Sequence, residues 1–367
     1  MRIGVDARLV YYRRAGISQY TVQLIQALAR CESQDDFTII ESIKAREPII
    51  QRPRFTPHQV LTPSHHRLER WTLPIELSML RLDVLHSPDF IAPPLRNTRS
   101  VITIHDLVFL LYPHLLTKEA ARYYGQIDQA VRRADAIIAV SEATKHDVVR
   151  LLGVPERKVQ VIYEAASPSF RPMRSAETVE RVRERFGLHS EFVLFVSTIE
   201  PRKNVPTLLQ AFRRLLDDYR PDVKLVLAGE KGWLYESVFE LVKTLRLQDR
   251  VVFLGRVSDD ELLWLYNTAE VLVVPSIYEG FGLTPLEAMA CGTPVVASNV
   301  SSLPEVVGDA GLLVDPYSVE ELAVAISRAL HDSDLRAQMS ARGLKQAARF
   351  SWDKAASETL ALYHSVV

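Results

Sequence analysis

The chain has 367 residues, 47% of them apolar and 24% charged, which is the balance of a globular enzyme and too long for one ordinary core. With 44 basic and 45 acidic residues the net charge is −1, and a nucleic-acid binder would carry a basic excess. Two cysteines, Cys31 and Cys291, offer neither a metal-ligand spacing nor a disulfide framework, so a reducing compartment is expected.

The opening, MRIGVDARLV, alternates like a strand from residue 2. It has no basic head followed by an apolar run, so no signal peptide is expected. No stretch approaches the roughly 18 consecutive apolar residues of a membrane helix, and a cytoplasmic protein is the simplest expectation. Strands are predicted at RIGVDA, DFTII, DVLHS, SVITIHD, DAIIAVS and KVQVIYE, with helical patterns such as SQYTVQLIQALAR and SEATKHDVVRLLG between them. Alternating strand and helix, with near-continuous apolar strands, predicts a parallel sheet covered on both faces.

A Pro- and Ser-rich break, EAASPSFRPMRSAE, spans Glu164 to Glu177 and reads as a linker. The pattern restarts with FVLFVS, VKLVLAG, RVVFLG, EVLVVPS, PVVAS and GLLVD. Ser258 with Glu261, Thr284 with Glu287, Ser302 with Glu305 and Ser318 with Glu321 all have capping-box spacing. An amphipathic segment, SWDKAASETLALYHSVV, closes the chain. The predicted fold class is α/β, with two doubly wound Rossmann-like domains. Their bounds are 1–168, a linker at 169–176, and 177–350, followed by a terminal helix over 351–367.

Four places carry candidate chemistry. Gly16, in YYRRAGISQY, follows the first strand; it is a turn glycine or a point of close ligand approach. Beside it, Tyr11, Tyr12, Arg13 and Arg14 contact an acceptor or are simply solvated. His105 ends a buried strand in SVITIHD, where a histidine is structural or ligand-facing. Arg202 and Lys203, in STIEPRKNVPTLL, precede a helix expected to be capped by Asn204. Two cations there are unfavourable by roughly 0.3–1 kcal/mol each unless an anion is near, and Arg grips phosphate bidentately while Lys acts as a point charge.

The fourth place is YEGFGLTPLEAMACGTPVVAS, Tyr278 to Ser298. Glu287 has a structural use as capping-box partner of Thr284, with Pro285 as first helical residue. Phe281 and Leu283 read equally well as core. Against that, Glu279 lies just past a predicted strand, at the edge where open α/β sheets bind ligands. Gly280 and Gly282 let backbone N–H groups approach a ligand, and a helix N-terminus favours an anion. A diphosphate against the backbone with carboxylates on sugar diols suits a nucleotide sugar.

This stretch resembles the Glu, seven residues, Glu signature of retaining GT-B glycosyltransferases of family 4, also called group 1. TIEPRKN, LAGEKGW, GRVSDDEL and LPEVVGDAGLLVDP follow that family's order through the carboxyl half. The amino half matches more loosely, through an early glycine and TIHD, and lacks the second adjacent glycine many members carry. The resemblance implies a GT-B fold with an interdomain cleft and a final helix, from Ser351, crossing back to the first domain. It implies catalytic roles for Glu279, His105, Arg202 and Lys203, the histidine lying close to the transferred sugar. Donor binding is implied for Gly16, Thr198, Arg202, Lys203, Arg256, Val257, Glu279, Gly280, Phe281, Gly282, Leu283 and Glu287. Glu287 would hold the ribose, and the base would rest against Gly255 to Ser258. Retention of configuration follows from the same resemblance, with front-face attack as the expected route.

STIEPRKN and EKGW look most like bacterial mannosyltransferases, so GDP-mannose is the expected donor and a UDP-sugar the alternative. The partner expected on the other side is a glycan or lipid-linked acceptor read by the first domain. There, SHHRLERWTLPIELSML is either a peripheral surface at the inner face of a membrane or a helix facing the sheet. No cofactor or metal is expected. The one Asp-x-Asp match, Asp332 and Asp334, falls between helices where Asp332 or Ser333 makes an N-cap. Cations and helix N-termini can stabilise a leaving diphosphate without a metal. An oxidoreductase would need G-x-G-x-x-G after the first strand of a half, and neither half has it. A non-catalytic sugar-nucleotide-binding protein is the rival of another class, against which Glu279, Arg202, Lys203 and His105 stand.

Overall fold

The computed structural model describes residues 1–12, 16–66, 68–113, 124–219, 222–232 and 235–367. Arg13, Arg14, Arg67 and Trp233, all part of motifs read above, lie outside them. Contacts divide the chain into two units, Met1–Glu164 with Ser351–Val367, and Ala165–Phe350.

The first unit holds β1 (Arg2–Asp6), β2 (Asp36–Ser42), β3 (Phe55–Val60), β4 (Val84–Ser87), β5 (Arg99–Ile104), β6 (Ala136–Ala139) and β7 (Val159–Val161). They form one parallel sheet in the order β3-β2-β1-β4-β5-β6-β7. The central strands are buried along almost their whole length, as expected where helices cover both faces. The strand absent from the sequence prediction is β3, FTPHQV, which contains Pro57 and three polar residues. It survives because it is an edge strand, where a missing N–H costs nothing on the open side. Phe55 stacks on Phe37 across the pair, ring centroids 4.6 Å apart.

The terminal helix, Trp352–Val366, belongs to this unit. Ser351 caps it through the N–H groups of Asp353 and Lys354. Tyr363, fully buried, has its hydroxyl 2.6 Å from Nδ1 of the buried His86. Arg30 donates to Asp353 at 2.6 Å. The SHHRLERWTLPIELSML stretch folds as helix Glu69–Leu77, burying Glu69, Leu73 and Leu77 against the unit. Its other face is not packed: Leu68, Trp71, Ile75 and, just beyond, Met79 are 49–89% exposed.

The second unit holds β8 (Phe192–Val196), β9 (Lys224–Ala228), β10 (Val251–Gly255), β11 (Val271–Val274), β12 (Val295–Ser298) and β13 (Leu312–Val314). The order is β10-β9-β8-β11-β12-β13, again parallel. Residues 169–176, read from sequence as the linker, are tied into this unit. Met173 N donates to Asn267 Oδ1 at 2.6 Å, and Asn267 Nδ2 donates to Arg171 O at 3.1 Å. Gly229, after β9, has φ +151°, and a Cβ there would lie 1.9 Å from the Ser197 carbonyl. Only glycine lets the ends of β8 and β9 approach so closely.

Of the four capping-box spacings, one closes reciprocally, Ser258 with Glu261. Ser318 accepts from Glu321 N, but the Glu321 carboxylate accepts from Asp315 N instead. Helix Leu283–Ala290 starts one residue before Thr284, with Gly282 as its N-cap and no side-chain cap. Helix Leu303–Val307 also lacks one. At both, tertiary partners take the side chains a local box would use.

Candidate active site

In each unit the strand order reverses once, between β1 and β4 and between β8 and β11. Open α/β sheets bind ligands outside the carboxyl ends of the strands at such a switch point. In the second unit the two loops that meet there are Ser197–Asn204 after β8 and Pro275–Gly282 after β11. They are laced together: Ile277 N donates to Arg202 O at 2.9 Å, and Asn204 Nδ2 donates to Pro275 O at 3.1 Å and Pro316 O at 2.6 Å. Asn204 is thus the N-cap residue of helix Val205–Asp218, yet its side chain makes no cap hydrogen bond. The sequence-based cap is corrected by these carbonyl contacts.

Glu279 stands where the loops cross. Its Oε1 accepts from Lys203 Nζ at 2.5 Å and from Ser276 Oγ at 2.7 Å, and its Oε2 accepts from Arg202 Nη1 at 3.1 Å. Arg202 Nη1 also lies 3.3 Å from Tyr278 O, and Arg202 Nε pairs with Glu200. Burial by itself favours the neutral acid. The charges of Lys203 and Arg202, with the hydrogen bonds from Lys203 and Ser276, outweigh burial and bring the Glu279 pKa down to about 2. Lys203 is lowered from its ordinary value by burial first and then by Arg202, against the pull of Glu279.

The backbone around the carboxylate is equally fixed. Glu279 N donates to Ser301 Oγ at 2.9 Å, while Ser302 Oγ lies 2.9 Å from Glu279 O and 2.5 Å from Phe281 O. Gly282 then turns at φ +116° into helix Leu283–Ala290. A Cβ there would meet Leu303 Cδ2 at 3.2 Å. An α-helix that begins without a side-chain cap presents first-turn N–H groups suited to an anion. Glu287, half-buried in that helix, accepts from Tyr266 OH at 2.9 Å. It is no capping-box partner.

The other candidates distribute as follows. Thr198 is exposed in the loop after β8, close to the backbone turn at Gly232. Arg256 is exposed after β10 and pairs with Glu230 at 3.2 Å, with Val257 half-buried beside it. Gly280 and Phe281 are buried, and Leu283 is half-buried. Asp332 caps helix Ser333–Ala347 through Leu335 N at 2.9 Å. Sequence reasoning missed Glu200, Ser276, Ser301, Ser302 and Tyr266. Ser302 had drawn notice only as a cap and Glu200 only as part of TIEPRKN, while Ser276, Ser301 and Tyr266 lie in no motif read from the sequence.

Gly16 and His105 belong to the first unit. Gly16 opens helix Gly16–Leu28, and a Cβ there would meet nothing within 4 Å. His105 uses both ring nitrogens. Nδ1 lies 2.9 Å from Glu164 Oε1 and Nε2 lies 2.8 Å from Pro88 O. A carbonyl only accepts, so Nε2 carries a proton, and a carboxylate asks the same of Nδ1. Burial opposes the imidazolium, but Glu164 and the Pro88 carbonyl overcome it and the pKa is raised. Neither nitrogen is left to take up a proton. The Tyr20 ring packs edge-on at 4.8 Å.

Two Rossmann-like units, with a cation–carboxylate cluster at the switch point of the second, are the architecture of a GT-B glycosyltransferase. Residues 177–346 match the model of glycosyl transferases group 1, and residues 14–170 that of glycosyltransferase family 4. The chain belongs to this family and is an enzyme of glycosyl transfer. It is 32% identical to the O-antigen chain mannosyltransferase B of Escherichia coli, over 99% of both chains. Its fold is like that of sucrose-phosphate synthase from Thermosynechococcus elongatus, with TM-score 0.80, 23% identity, and coverage of 100% of this chain and 98% of that one. It is also like Anabaena HepE in complex with UDP-glucose, with TM-score 0.79, 19% identity, and full coverage of both.

Proposed function

We propose that this enzyme transfers a mannosyl group from GDP-mannose, with retention and without a metal, to a hydroxyl of a growing glycan. The observation that carries the reading is the cluster of Arg202, Lys203 and Glu279 beside the uncapped helix at Gly282. As the glycosidic C–O bond breaks, negative charge grows on the leaving diphosphate. Arg202, Lys203 and the N–H groups of Gly280 to Leu283 stabilise it from fixed positions. Glu279, kept ionised by its two cations, accepts hydrogen bonds from hydroxyls of the sugar. Glu287 holds the ribose, and the base rests against Gly255 to Ser258. Attack comes from the face the diphosphate leaves, the departing phosphate taking the acceptor proton. The mannosyl assignment is supported by the full-length relative named a mannosyltransferase. A UDP-sugar is the alternative donor, as in the UDP-glucose complex of Anabaena HepE.

Peripheral contact with an anionic membrane surface belongs to the same reading. Leu61, Leu68, Trp71, Ile75 and Met79 are exposed along helix Glu69–Leu77 and its flanks. Both acids of the helix are engaged elsewhere. Glu69 pairs with the buried Arg8, and Glu76 accepts from Leu61 N and Thr62 N. Arg70, stacked 4.8 Å over Trp71, and Arg81 remain as exposed charges. An apolar stripe with basic edges suits an anionic leaflet.

The test is calorimetric titration with GDP and with UDP, followed by incubation with the matching nucleotide sugars. Tighter GDP binding with mannose transfer supports the reading. Tighter UDP binding overturns the donor, and nucleotide binding without any release of nucleotide overturns the enzyme.

A further inference from the structure

The first unit has its own switch point, between β1 and β4, and a small cavity with a mixed polar and apolar wall opens there. Asp6, at the end of β1, lines it together with Thr21, His65, Glu69, Ser87 and Asp89. Its volume is 20 Å³, about the space one water or one hydroxyl group needs. Ser87 ends β4 and is 1% exposed, yet its Oγ has no hydrogen-bond partner among the described residues. A buried hydroxyl left unpaired costs about 1–3 kcal/mol. Its neighbours on the cavity wall are otherwise well bonded. Asp6 Oδ2 pairs with Arg8 at 2.6 Å, His65 Nε2 lies 2.8 Å from Asp89 Oδ2, and His65 N donates to Glu69 Oε2 at 2.9 Å.

From this we infer that the Ser87 cavity is a subsite for one hydroxyl group of a neutral sugar, the acceptor of the transfer proposed above. The charge balance selects the chemistry. Among the described residues, three carboxylates, Asp6, Glu69 and Asp89, face Arg8 and His65, so acids outnumber bases on the described wall. Such a wall rejects phosphate and uronate groups and accepts the protons of hydroxyls, while Ser87 Oγ can return a hydrogen bond. Position supports the assignment to the acceptor. The segment Ser87–Asp89 lines the cavity and also provides the Pro88 carbonyl that receives the Nε2 proton of His105, so one segment serves both. The inference rests on the transferase reading for the word acceptor, but not for the binding of a neutral hexoside.

Saturation-transfer NMR on the full chain, with methyl α-mannoside, α-glucoside and α-galactoside as probes, tests it. At least one hexoside should bind, and Ser87→Ala should weaken it about five-fold, the size of one lost hydrogen bond. Removing a buried unpaired hydroxyl should raise the thermal midpoint rather than lower it, so the variant stays folded. Asp89→Asn, similar in shape, should weaken the same probe, and mannose 6-phosphate should not compete. Overturning results are no bound hexoside, equal affinity in wild type and Ser87→Ala, or effective competition by the phosphate. The second is what a cavity holding only a bridging water gives. Nucleotide release from nucleotide sugars by the wild type is measured separately. If that fails while a hexoside still binds at Ser87, the transferase reading falls and the subsite stands.

Discussion

Replacing Glu279 with Gln keeps the side chain's shape and removes its charge from a buried cluster. The carboxyl falls from an ordinary 4.5 to about 2 in the folded protein, and one unit corresponds to 1.36 kcal/mol, so the ionised form contributes roughly 3 kcal/mol. The folded value lies below the unfolded one. That contribution is therefore fully present above about pH 5 and drains away as pH falls toward about 2. Burial and Arg202 lower Lys203 whether or not the carboxylate is charged, so that cost is common to both proteins. For a unit of this size each kcal/mol shifts the thermal midpoint by about 2–4 °C, so Glu279→Gln should lose about 6–12 °C at pH 7. Calorimetric scans of both proteins at pH 7 and at pH 3 check this, and the gap should narrow in acid. Equal midpoints at pH 7, or a gap that does not change with pH, would show that the cluster holds no net ionic stabilisation. Turnover should fall severely in the same variant at pH 7.

Arg202→Ala should weaken binding of a nucleoside diphosphate by about ten-fold or more, the worth of a charge-assisted contact. Calorimetry should show a smaller loss for the corresponding nucleoside, which lacks phosphate. Transfer should survive chelator, and restoration by magnesium or manganese of activity lost to chelator would refute the metal-free reading. Trp71→Ser with Ile75→Ser should abolish co-sedimentation with anionic vesicles while leaving nucleotide binding intact. Equal binding to neutral vesicles in the wild type would remove the electrostatic part of that argument.

Of the thirteen strands among the described residues, twelve are legible as short apolar runs, because fully buried parallel strands need little else. The thirteenth, β3, is hidden by Pro57, tolerated only because of its edge position. Helix starts were less readable. Thr284 and Ser302 have the spacing of Ser258, yet only the last closes a box. Glu287 turns to Tyr266, and Ser302 turns to the carbonyls of Glu279 and Phe281. Capping is a local competition that a nearby tertiary partner wins. Arg202, Lys203 and Glu279 stand out in the sequence as separate cationic and acidic motifs. That the acid pairs with both cations across 76 and 77 residues of chain does not show there.

By itself, the order of residues determined the alternation of strand and helix, the division into two halves, and the family, since periodicity and motifs are written within a few residues of one another. Only the tertiary structure decided which loops meet. Strand order places the ends of β8 and β11 side by side, and those of β1 and β4, because crossovers carry each strand to a sheet neighbour that is distant in the chain. Charge pairing at Glu279 and the unpaired Ser87 hydroxyl are consequences of that adjacency, which no local pattern encodes.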